Sequence, residues 1–167
     1  MVNSTGISRR IDDLGRIVIP KEMRRKHRIN EGDLVEIGEG ENCITLQKYS
    51  PLMPFAKSAD KVLQSFYGMT RLPIILCDTY NVISNKSIRE LKGKEITDEL
   101  YECILKHVKK SRVHIVKGYA LRCMFIEEII VNGKIVGALI IPETTSELTP
   151  QQEDCLKLCA KIIGSLE

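Results

Sequence analysis

Arg9, Arg10, Arg16, Lys21, Arg24 and Arg25 are the side chains whose type and spacing point to a definite chemistry. A guanidinium presents a planar fork of donors that clamps phosphate or reads a guanine edge, and an ammonium group neutralises phosphate as a point charge. Lys26 and Arg28 join the cluster, so residues 1–28 set eight cations against Asp12, Asp13 and Glu22. Residues 29–50 reverse the balance, with Lys48 alone against Glu31, Asp33, Glu36, Glu39 and Glu41. The whole chain is only +3 at neutral pH, so a local basic face, not bulk charge, is the footprint to look for. On charge alone such a face is more often solvated surface than a nucleic-acid contact.

Other reactive side chains gather less well. The six cysteines, Cys43, Cys77, Cys103, Cys123, Cys155 and Cys159, form no CxxC and no finger-like cluster with histidine. Cys155 and Cys159, four apart on one helix face, could be half a metal site, but read more simply as small buried hydrophobes. A disulfide framework suits short secreted chains, and Met1-Val2-Asn3-Ser4-Thr5-Gly6 has no apolar core of signal-peptide type. No stretch approaches the ~20 apolar residues of a membrane span. The expectation is a cytoplasmic protein with no cofactor, metal or membrane partner. An enzyme would draw on Cys77, His107, His114 or Cys123, and no pair of these sits in a nucleophile or metal motif. Tyr119 and Arg122 could line a small-molecule pocket or be ordinary edge residues.

The elements that must hold the cations are short. Thr5 to Asp12 alternates loosely, Asp13-Leu14-Gly15 signals a turn, and Arg16-Ile17-Val18-Ile19 is β-branched and strand-like. Strict alternation would put Arg9 on the face of Ile7 and Ile11, so that strand must end or bend near it. Pro20 suits the first position of a helix running to His27. At 100° per residue Lys21, Arg24, Arg25 and Arg28 fall within an arc of about 100°, with Met23 opposite. Leu34–Ile37 and Cys43–Lys48 predict a hairpin around Gly40-Glu41-Asn42. A unit this small cannot bury a sufficient core alone, so a partner chain is expected.

Pro51 and Pro54 mark a boundary. Phe55, Ala59, Val62, Leu63 and Phe66 predict a connector helix closed by Gly68 and Pro73. Strands are expected at Pro73–Asp78, Asn81–Ser84, Val113–Val116, Arg122–Val131 and Lys134–Ile141, with a helix over roughly 97–109. Asn132-Gly133 is the strongest hairpin signal in the chain. Thr149-Pro150-Gln151-Gln152 reads as a capping box opening the final helix. The stripe Cys155, Cys159, Ile162 and Leu166 on that helix, flanked by Leu156 and Ile163, could be core or a seam between subunits.

The N-terminal residues resemble the AbrB-like transition-state regulators. The resemblance rests on Ser4-Thr5-Gly6-Ile7, on Arg9 through Arg25 (RRIDDLGRIVIPKEMRR), on Glu31 through Ile37 and on Ile44 through Pro51. It implies a swapped-hairpin β-barrel in which two chains interleave, with Arg9, Arg16, Arg24 and Arg25 at the DNA-contacting positions and Arg10 beside them. Lys21 joins them on the helix face. It also implies A/T-rich, loosely defined promoter sites, read through shape and flexibility. The strand at Pro73–Asp78 and the hairpin Ile129–Ile141 resemble the sporulation branch of the same family, where this unit precedes a GAF-like domain.

The expected fold is therefore α+β. A swapped-hairpin DNA-binding domain occupies residues 1–51, a connector helix 52–70, and a GAF-like sensor and oligomerisation domain 71–167. The resemblance implies a homotetramer, paired through barrels and C-terminal helices, that binds double-stranded DNA, regulates genes of the developing spore and associates with the nucleoid. A small-molecule effector stays open. An antitoxin is the competing reading, since swapped-hairpin units also occur in toxin-neutralising proteins, usually with a short disordered tail. The patterned residues 55–166 argue against such a tail.

Overall fold

A computed structural model describes residues 6–88, 90–144 and 147–166. Ser4 and Thr5, which open the motif and the expected first strand, lie outside them. The chain divides into two compact units, Met1–Tyr49 and Ser50–Glu167.

In the first unit the helix α1 spans Lys21–Lys26. Pro20 stands just before it with ψ 144°, extended rather than helical, so the proline caps the helix instead of occupying its first turn. Strands β1 (Val35–Gly40) and β2 (Cys43–Lys48) form the expected hairpin, in register from Val35 opposite Lys48 to Gly40 opposite Cys43. Lys48 Nζ sits 2.8 Å from Asp33 and donates to the Arg28 carbonyl at 3.1 Å, fastening hairpin to helix end. The strands expected before α1 do not form among the described residues. Asp12 N–H donates to Arg16 O and Gly15 N–H to Asp12 O, closing a tight turn. No ladder continues from that turn, because β-branched sequence becomes a strand only beside another strand.

The second unit is a four-stranded antiparallel sheet, ordered β4-β3-β6-β5, with helices on both faces. Its strands are β3 (Ile74–Asp78), β4 (Val82–Lys86), β5 (Cys123–Val131) and β6 (Lys134–Pro142). Helices α2 (Ala56–Thr70) and α4 (Pro150–Gly164) cover one face, and α3 (Asp98–Leu105) with its flanking loops covers the other. The two-residue period of a strand builds both cores from the same segment: Ile74 and Leu76 pack under α2 and α4, Ile75 and Cys77 toward α3. Asn132 (φ 50°) and Gly133 (φ 74°) make the β5–β6 turn, both left-handed as a type I′ turn requires. Gly137 is needed for close approach, since a Cβ there would lie 2.3 Å from the Cys77 carbonyl oxygen and 2.7 Å from Leu52 Cδ1.

Several expectations are corrected here. Val113–Val116 makes only isolated bridges, because its backbone bonds are split between residues 95–97 on one side and 121–123 on the other. Gly68 lies inside α2, which ends at Arg71, whose left-handed backbone (φ 59°) directs its N–H to Tyr67 O. The capping box of α4 is present, with Thr149 Oγ1 accepting from Gln152 N–H and Gln152 Oε1 from Thr149 N–H. The buried stripe of α4 is Leu156, Cys159, Ala160 and Ile163. It is rotated from the expected one, so Ile162, with Leu158, remains exposed.

Candidate nucleic-acid interface

Helix α1 places Lys21, Arg24 and Arg25 on adjacent turns, all three exposed, while half-buried Met23 supplies its inward side chain. Basic residues in the last turn also suit the negative end of the helix dipole. Arg24 Nε donates to the Ile19 carbonyl at 3.2 Å, tying the helix to the segment before it. Ile29 N–H donates to Arg24 O at 2.8 Å and closes the helix C-terminus.

Arg28 does not extend this face. The helix stops at Lys26, Arg28 takes a left-handed backbone (φ 53°), and the residue is only 6% exposed. The arc computed from uniform helical rotation fails at that point because the helix has already ended.

Arg16 is held differently. Asp12 Oδ1 accepts from Leu14 N–H at 3.1 Å and from Arg16 N–H at 2.8 Å, while Oδ2 accepts from Arg16 Nε at 2.8 Å. One carboxylate thus shapes the turn and orients the guanidinium. The backbone bond from Arg16, then its side-chain bond, holds the Asp12 carboxyl below its ordinary value. Gly15 supplies the positive φ (74°) that lets the turn close. Sequence reasoning missed Asp12 as a positioning residue, although an aspartate three residues before a glycine is an Asx-turn signal. Arg9 donates locally to the Ser8 carbonyl at 2.9 Å, and both Arg9 and Arg10 are exposed on an irregular segment. The alternation problem at Arg9 disappears because no strand forms there.

The second unit holds the side chains an enzyme would need, and they are poorly placed for it. Cys77 and Cys123 are fully buried, their thiols directed to the carbonyls of Ala138 and Phe125. Burial, with Cys103 nearby, pushes the Cys123 thiol up to about 12, so it stays protonated and weakly nucleophilic. Cys159 is likewise raised to about 12 by burial and by Cys155. His107 and His114 are both exposed; His107 Nδ1 lies 3.8 Å from Glu128 Oε1, and the His114 backbone bridges Arg122. Among the described residues no group of three His, Cys, Asp or Glu side chains gathers as a metal site would. Tyr119 packs partly buried against the α3-side core, and Arg122 is exposed.

Comparison with known proteins gives four findings. Residues 9–52 match the family described as antidote-toxin recognition MazE, bacterial antitoxin. Stage V sporulation protein T of Bacillus subtilis (strain 168) is 35% identical over 153 residues, covering 84% of each chain. Transition state regulatory protein AbrB of the same strain is 50% identical over 52 residues, 31% of this chain and 54% of its own. The solution structure of the N-domain of the transcription factor AbrB has 49% identity, covering 30% of this chain and 98% of that one, at a TM-score of 0.29. The two relatives make the chain a transcriptional regulator, not an enzyme. It belongs to the family of stage V sporulation protein T.

Proposed function

We propose that the chain is a cytoplasmic, nucleoid-associated regulator of sporulation or developmental genes that binds A/T-rich promoter DNA through Arg9, Arg10, Arg16, Lys21, Arg24 and Arg25. The observation that carries this reading is that all six cations are solvent-exposed on one small unit most of whose large apolar side chains are exposed as well. The first feature suits a polyanionic partner. The second suits a second copy of the chain, because about fifty residues without a core need one. Ile11, Val18, Ile37 and Ile44 would then be the surface two swapped hairpins share. Residues 9–52 match an antitoxin family, but the 50% identity over 52 residues to transition state regulatory protein AbrB supports a regulator over a toxin-neutralising protein.

The second unit is read as a GAF-like domain that regulates and tetramerises. Its layered antiparallel sheet supports the first part. The second is supported by α4, whose Leu158 and Ile162 are 57% and 40% exposed on the face turned from its buried stripe. An antitoxin with a short disordered tail fits poorly with 28 buried apolar residues that, among the described residues, all lie in this second unit.

Fluorescence anisotropy against an A/T-rich duplex, repeated over several salt concentrations, tests the reading. A dimer touching about six to eight phosphates gives a slope of log K against log[salt] near −5 to −7. Arg24→Ala/Arg25→Ala, with folding and assembly intact, is expected to bind more weakly and to flatten that slope by about 2 to 4. Weak binding by wild type, indifferent to salt and to base composition, would overturn it.

A further inference from the structure

A cavity of about 470 Å³ opens between the first turns of α2 and strand β4, and lysines dominate its wall. Lys57 and Lys61 come from successive turns of α2, Lys86 from the end of β4 and Lys92 from the loop beyond it. Asp60 and Glu90 are the acids of the lining, so four cations against two anions leave it at net +2.

Only Lys86 is neutralised by direct contact. Its Nζ lies 2.7 Å from Asp60 Oδ2, and the Ser84 hydroxyl donates to Asp60 Oδ1. Burial by itself would raise the Asp60 carboxyl. The bonds from Lys86 and Ser84 and the field of Lys86 and Lys92 bring it below its ordinary value instead. Asp60 is therefore ionised at neutral pH and occupied in holding Lys86 against the wall. Lys57, Lys61 and Lys92 make no ion pair among the described residues. Lys57, Lys61 and Lys92 thus border one recess whose lining carries a net charge of +2, which favours an anionic ligand.

The volume falls within the range of small-ligand sites, about 300–1,000 Å³. Lys57 and Lys61 are neighbours at i and i+4, close enough to meet adjacent phosphoryl groups of one molecule. A duplex, whose phosphates run along an open surface, suits a recess less well. We propose that this recess binds a small phosphorylated molecule carrying two or more negative charges. It would give the regulator an effector of known chemical class, and only that regulatory meaning rests on the proposed function; the binding does not.

The test is calorimetric titration of the full chain with inorganic pyrophosphate at low ionic strength. Wild type, Lys57→Ala/Lys61→Ala and Arg24→Ala/Arg25→Ala are compared, with equal melting temperatures showing that the exposed lysines and arginines are not needed for folding. The expected result is saturable binding that weakens at least tenfold in the lysine variant and is unchanged in the arginine variant. Absence of saturable binding, or loss only in the arginine variant, overturns the proposal while leaving DNA binding intact as a separate question. Citrate binding as tightly as pyrophosphate overturns the phosphate class. A lysine variant that loses DNA affinity but keeps pyrophosphate affinity assigns the lysines to the duplex and overturns the recess.

Discussion

Ile44 in strand β2 of the first unit is 75% exposed, whereas Leu76 in strand β3 of the second is fully buried. The contrast holds across both units. Among the described residues every buried apolar side chain lies at or beyond Leu52, while Ile11, Leu14, Val18, Leu34 and Ile37 all stand in solvent. Residues 52–166 carry two cores, one on each face of a four-stranded sheet. Hydrophobic sequence alone therefore does not make a core; a segment must also meet something to pack against. In the second unit that surface comes from the same chain. In the first, the proposed pairing with another copy would supply it, and the cations would lie outside it.

The most direct way to break this comparison is Ile44→Asp. If Ile44 is ordinary surface, the change shifts stability by no more than about 0.5 kcal/mol. If a second copy covers it, a charge enters a shared core. The expected outcome is a species of half the mass in sedimentation velocity and loss of duplex binding by anisotropy. Wild-type assembly and affinity in this variant would remove the argument for pairing.

Leu76→Ala tests the other half. Truncating a fully buried leucine costs about 2–5 kcal/mol through lost burial and the cavity left behind. The expected result is a lower melting temperature for the second unit, with DNA affinity preserved below that transition. Loss of DNA binding in step with that transition would show that the units do not fold separately.

A smaller effect is expected at the far end of the second sheet. Glu128 has a side chain only 3% exposed, paired with Lys109, and among the described residues its buried Oε1 accepts no hydrogen bond, the nearest cationic group being His107 Nδ1 at 3.8 Å. Lys109→Ala strands that carboxylate, at about 2 kcal/mol, the scale of an unsatisfied buried group. Burial alone would lower the Lys109 pKa, yet the bonds and fields of Glu128 and Glu127 raise it above its ordinary value. A raised amine stabilises the fold below its unfolded pKa and ceases to do so as pH rises through the folded value. Chemical denaturation should therefore show wild type and variant converging only above about pH 10.

Much of the second unit was legible because its signals are local. The Asn132-Gly133 turn, the Thr149 capping box and the continuous apolar run of β3 each decide their own geometry within a few residues. The readings that failed depend on what lies elsewhere. Arg16–Ile19 has the composition of a strand but no neighbouring strand, and the bonds of Val113–Val116 are divided between two loops. The stripe of α4 was displaced by one residue because spacing gives the period of a helix face, while the packing of α2 and the sheet selects which face is buried. At the site, the exposed cations follow from residue type. The buried Arg28 could not be read from helical rotation, since its location depends on where α1 stops.

The finest test of the basic face is Asp12→Asn. Asparagine keeps an oxygen to accept from Leu14 and Arg16 N–H but loses the charge that holds Arg16 Nε. Two effects oppose one another. Removing an anion near phosphate favours binding, while a loosened Arg16 disfavours it by giving up a pre-set orientation. If Asp12 serves to position Arg16, affinity for the duplex falls about two- to threefold, the scale of an exposed ion pair, and the salt slope is unchanged. A rise in affinity would mean that charge outweighs orientation at this turn. The pH dependence separates the same alternatives in wild type. A lowered carboxyl keeps its clamp above the unfolded value near about 3.9 and loses it only as pH falls through the folded one. Asp12 should therefore add no pH dependence to DNA binding between about pH 5 and 8, so wild type and Asp12→Asn should differ there by a constant factor.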